Sequence, residues 1–93
     1  MRQLTPLDEE LLRKAIIRYL AMHHPAGFTP DTLAAILQPR GLLDYTPTIE
    51  AVNSALAVLA DLNLARKVVS PVGSTVYWSA TGTGKIEMER DSA

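Results

Sequence analysis

At 93 residues, with a formal net charge of −1 and an apolar share of 47%, the sequence has the size and composition of one folded domain with a single modest core. It holds no cysteine, which excludes disulfides, zinc–thiolate sites and thiol nucleophiles. No run approaches the ~18–20 apolar residues of a membrane span and no signal-like segment opens the chain, so a cytoplasmic protein is expected. Near-neutral charge gives no support to a nucleic-acid binder, because duplex affinity comes largely from cations that neutralise phosphates.

After a short lead-in, Thr5-Pro6-Leu7-Asp8 has the pattern of a helix start, with Asp8 placed to complete a capping box. Glu9 and Glu10 add negative charge where the helix dipole favours it. Leu12, Ile16, Tyr19, Leu20 and His23 form one apolar stripe, with Leu11 and Ala15 at its edge, while Arg13, Lys14 and Arg18 fall on or near the other side as a solvated face. Pro25 and Gly27 end this helix, and Phe28 is expected to turn inward. Thr29-Pro30-Asp31-Thr32 opens a second, shorter helix with Leu33, Ile36 and Leu37 as its inner face, stopped by Pro39 and Gly41.

The connection from Gln38 to Tyr45 is longer than the three or four residues of a simple helix-turn-helix, and Leu42, Leu43 and Tyr45 within it call for burial or a partner. Thr46-Pro47 is the third Thr-Pro pair and predicts a third helix start. Ile49, Val52, Leu56, Leu59 and Leu62 then recur at helical spacing, and Asn63 supplies a residue that tolerates the left-handed turn closing many helices. Leu64 to Ser70 and Thr75 to Ser79 read as strands joined by the turn Pro71-Val72-Gly73-Ser74. Trp78 is expected inward and Tyr77 outward. Thr81 can cap a short final helix carrying Ile86 and Met88 inward. Residues 1–90 therefore read as a single domain, with 91–93 fraying.

Two motifs in this pattern resemble the winged helix-turn-helix domain of MarR-like and PadR-like bacterial or prophage regulators. Leu59-Ala60-Asp61-Leu62-Asn63-Leu64-Ala65-Arg66 is similar to that family's junction between recognition helix and basic strand. Trp78-Ser79-Ala80-Thr81-Gly82-Thr83-Gly84-Lys85 is similar to its strand-to-helix corner, with Ala80 where leucine is usual. The resemblance implies a mainly α fold with a small antiparallel hairpin: a three-helix core, a wing and a short C-terminal helix, with Thr46 to Asn63 as recognition helix. It also implies a small DNA-binding regulator, by kind a transcriptional or prophage-type accessory protein. Such regulators commonly dimerise through long terminal helices. With the chain stopping soon after Arg90, the first helix is the one sizeable substitute.

With the apolar stripe inward, Glu50, Ser54, Ala57 and Asp61 point out of the third helix, flanked by Ala51 and Val58. That strip holds two carboxylates and no cation. The candidate DNA contacts are Thr46, Thr48 and Asn53 as polar readers, Glu50 as acceptor for a cytosine amino group, and Arg40, Arg66 and Lys67 on phosphates. The competing reading is a protein-interaction module, with Leu42, Leu43, Ala51, Ser54, Ala57 and Val58 as the interface. Homodimerisation through that face would close it to DNA. Gly82-Thr83-Gly84-Lys85 is not a phosphate loop: Ser79 and Ile86 stand where glycine and a hydroxyl residue are required. The adjacent His23 and His24 point ~100° apart on a helix and do not readily share a metal. The serines lack a nucleophile-elbow context. An enzyme, a metal and a cofactor are not expected.

Overall fold

The computed structural model describes residues 5–37 and 47–92. Its elements in chain order are α1 (Pro6–Met22), α2 (Pro30–Leu37), α3 (Ile49–Asp61), β1 (Ala65–Val69), β2 (Val76–Ala80) and α4 (Gly82–Ser92). The helix starts follow from hydroxyl caps. Thr5 Oγ1 accepts the Asp8 N–H at 3.1 Å while Asp8 Oδ2 accepts the Thr5 N–H at 3.1 Å, a complete capping box. Thr29 Oγ1 accepts the Thr32 N–H at 3.3 Å at the head of α2. The third start differs from the expected one. Thr48, not Thr46, is the cap of α3, its Oγ1 accepting the Ala51 N–H at 3.0 Å. Thr48 is the last hydroxyl residue before the apolar run and lies three positions before the amide it satisfies. Pro47 therefore precedes the cap instead of following it.

α3 ends in a Schellman arrangement. Leu62 is the C-cap and Asn63 takes φ 61°, the left-handed conformation. The Asn63 N–H reaches the Ala60 carbonyl and the Leu64 N–H the Leu59 carbonyl, each at 2.9 Å. The chain is thus turned straight into β1, which pairs antiparallel with β2 from Ala65 opposite Ala80 to Val69 opposite Val76. Each strand starts and ends within a residue of its expected position.

Phe28 adds a contact that periodicity did not signal. Its N–H and carbonyl exchange hydrogen bonds with the Trp78 carbonyl and N–H, both at 2.8 Å, so β2 is paired on its second edge by an isolated bridge. The Phe28 ring meets Tyr19 edge-on at 5.1 Å, and the His23 ring lies 4.4 Å from Tyr19.

The core joins Leu12, Ile16 and Leu20 of α1, Leu33 and Leu37 of α2, and Val52, Leu56 and Leu59 of α3, all 2% exposed or less. Four expected inward residues lie otherwise. Ile49 is 48% exposed and Leu62 60%, because they stand at the two ends of the α3 stripe, where neighbouring elements leave them open; Ala55 is buried in the middle instead. His23 is exposed at the C-cap of α1, and Ile86 is exposed on α4 while Met88 packs on the core.

Candidate nucleic-acid interface

α3 presents Glu50, Asn53, Ser54, Ala57, Ala60 and Asp61 to solvent. The buried set Val52, Ala55, Leu56 and Leu59 fixes that orientation: with about 100° between successive residues, the opposite side has to face outward. Asn53, a candidate polar reader, is exposed on this open side. Thr48 is exposed as well, but its hydroxyl is already engaged by the Ala51 amide. The open face carries Glu50 near the start and Asp61 at the end, and no cation.

The residues considered for a protein contact divide. Ala57 points outward. Ala51, Ser54 and Val58 turn toward α1, where they line a groove of about 180 Å³ with Glu9, Leu12, Arg13 and Ala55. Arg13 is half-buried there, on the α3 side of α1, whereas Lys14 and Arg18 are exposed on its far side. Sequence reading grouped the three together. The signal available was rotational: Arg13 falls between the buried Leu20 and Ile17 on the wheel, away from Lys14 and Arg18.

Arg66 and Lys67 are both exposed on β1. Adjacent strand residues point to opposite faces. Arg66 is registered with Ser79 and shares its side with Val68 and Tyr77; Lys67 is registered with Trp78 and shares its side with Val69 and Val76. The two cations therefore do not form one patch. The ribbon's turn is closed by the Ser70 N–H to the Thr75 carbonyl at 2.9 Å, and its tip is uncharged, with Val72 95% exposed. Arg40, Thr46, Leu42 and Leu43 lie outside the described residues.

Gly82 to Lys85 builds a junction. Thr81 Oγ1 accepts the Gly84 N–H at 2.9 Å and donates to the Asn63 carbonyl at 2.7 Å, locking the start of α4 to the end of α3. Among the described residues there is no group of three or more His, Asp or Glu able to hold a metal ion, and no helix long and apolar enough to cross a membrane.

No family model and no curated protein matches the chain. Solved structures do. A mutant of Lactococcus lactis ZitR is 21% identical with a TM-score of 0.69, the match covering 98% of this chain and 52% of that one. A transcriptional regulator from Clostridium thermocellum is 12% identical with a TM-score of 0.72, covering 97% of this chain and 85% of that one. The fold is a winged helix. The winged-helix chain spans about half the length of the ZitR chain it matches. Its topology is that of the regulators: α2 and α3 as the helix-turn-helix pair, the β1–β2 ribbon as the wing, α1 and α4 as the supporting helices.

Proposed function

We propose that this chain is a small DNA-binding transcriptional regulator, bacterial or phage in kind and cytoplasmic, that lays α3 in the major groove. The observation that carries the reading is the uncovered face of α3 in a fold shared with transcriptional regulators: Glu50, Asn53 and Ala57 are exposed and make no side-chain hydrogen bond or ion pair among the described residues. Asn53 has the donor and acceptor geometry to pair with an adenine edge, and Glu50 accepts from a cytosine amino group. Arg66 and Lys67 neutralise phosphates, joined by Arg40, with Thr46 and Thr48 at the helix head. Three cations per subunit predict a salt slope of only about −3 per monomer and twice that for a dimer, toward the low end for specific binders. The role requires no catalytic group and no cofactor.

The test is titration of a fluorescent mixed-sequence duplex at low and moderate salt, followed by selection from a randomised pool. Binding that weakens with salt and is lost in the R66A/K67A double variant supports the proposal. Absence of binding at low salt and of any enriched sequence overturns it.

A second reading is favoured by one specific feature: the α3 face pairs two carboxylates with small residues, next to the groove lined by Ala51, Ala55 and Val58. On a duplex those acids are repelled, whereas on a basic protein partner they are complementary. Ala57→Arg separates the two, since it disrupts a protein contact and leaves DNA affinity unchanged or raised.

A further inference from the structure

The β1–β2 ribbon is covered on one edge and open on the other. β2 is bridged on its outer side by Phe28, which exchanges hydrogen bonds with the Trp78 N–H and carbonyl. The ladder fixes which way the groups of β1 point. The Ser70 N–H bonds the Thr75 carbonyl, and bonded positions alternate along an antiparallel pair, so Val68 with Tyr77 and Arg66 with Ser79 are the bonded pairs. The outward Trp78, opposite Lys67, has the phase this requires. Lys67 and Val69 therefore turn their N–H and carbonyl groups away from β2, and these groups have no partner among the described residues. Arg66, Lys67, Val68 and Val69 are all exposed, Val69 at 56%.

An open edge that alternates amides with carbonyls at strand spacing is matched by another strand. A phosphate backbone supplies acceptors only and cannot answer the carbonyls. The side chains narrow the class of strand. Arg66 and Lys67 are neighbours on β1 and stand on opposite faces, and the ribbon from Leu64 to Ala80 contains no carboxylate to meet either. Two copies of this edge would set cations beside cations with no acid between them. We propose that the free edge of β1 is a docking site for an extended acidic segment of a partner protein, added antiparallel to β1. Read in its own direction, that segment places two apolar β-branched residues against Val69 and Val68, then two acids against Lys67 and Arg66. One acid then lies beside each cation, one on each face of the sheet.

A single added strand buries far less than the ~1,600 Å² of a standard interface, so the affinity is modest and salt-dependent. The docking needs the outward amides of β1, which DNA binding does not, and it stands or falls separately from that reading.

The probe is a short, capped, fluorescently labelled peptide with two valines followed by two glutamates at its centre, titrated against the full chain by anisotropy. Saturable binding that weakens with salt is expected, and binding about tenfold weaker or more when lysines replace the glutamates. Val69→Pro removes one outward amide and no bond to β2, so it should keep the parent's melting temperature while weakening peptide binding by about tenfold or more. It leaves both cations in place, so that loss reports strand pairing and not charge. Hydrogen exchange on the unaltered chain is a second readout. Saturation with the peptide should slow the Lys67 and Val69 amides by about tenfold or more, while the Val68 amide, already bonded to Tyr77, changes little. The proposal is overturned by absence of binding at millimolar peptide, by equal binding of the lysine peptide, by a folded Val69→Pro variant that binds as well as the parent, or by unchanged exchange at Lys67 and Val69.

Discussion

Gly84 rests directly against the backbone of Leu64, so closely that a Cβ at position 84 would overlap the Leu64 carbonyl oxygen. The same carbonyl accepts the Thr81 N–H at 3.0 Å, and Thr81 in turn holds the Asn63 carbonyl. The end of α3, the root of the β1–β2 ribbon and the start of α4 are thus fastened at one point. Only a residue without a side chain allows the approach.

Gly84→Ala should therefore destabilise the fold by about 2 kcal/mol or more, even though alanine is the better helix former by ~1 kcal/mol. Gly82, two residues earlier, has nothing within 4 Å of its Cβ position, and Gly82→Ala should be neutral or slightly stabilising. Urea denaturation of the two variants side by side checks the contrast. Equal effects would show that the Gly84 contact does not set the packing of α4.

Asn63 holds φ at 61°, which costs a β-branched residue heavily and glycine nothing. Asn63→Gly is expected to leave stability unchanged or raise it by a few tenths of a kcal/mol, and Asn63→Val to lower it by about 1–2 kcal/mol. In a domain of this size each kcal/mol moves the melting temperature by roughly 4–8 °C, well within the reach of thermal melts.

The cap of α3 is assigned to Thr48, so Thr48→Ala should cost about 1 kcal/mol, with Thr48→Ser or Thr48→Asp close to neutral. The matched experiment is Thr46→Ala. If that variant is the more damaging, the helix begins two residues earlier than the Thr48 hydrogen bond indicates.

On DNA, Arg66 and Lys67 should not behave alike, because the register places them on opposite faces of the ribbon. Removing the one nearer the phosphates should lower the salt slope by about 0.9, and removing the other should lower it by a smaller amount. Anisotropy titrations of R66A and K67A at several salt concentrations decide this. Identical losses would mean that both side chains reach the same strand.

The succession of elements was legible in the chain because its signals are local. Thr5 with Asp8, Thr29, Asn63 and Thr81 act on amides and carbonyls a few residues away, and the spacing of Val52, Leu56 and Leu59 lies within one helix. The outward direction of Glu50, Ala57 and Asp61 followed from the same period. What only the tertiary structure decided depends on residues far apart in sequence. Phe28 pairs with Trp78 across fifty positions, and the need for glycine at 84 comes from Leu64, twenty positions away. Arg13 belongs with α3 and not with its neighbours Lys14 and Arg18, because the groove that receives it exists only once α1 and α3 are packed. Ile49 and Leu62 obey the helical period yet stay in water, since a period names a face while the neighbouring elements determine how much of that face is covered.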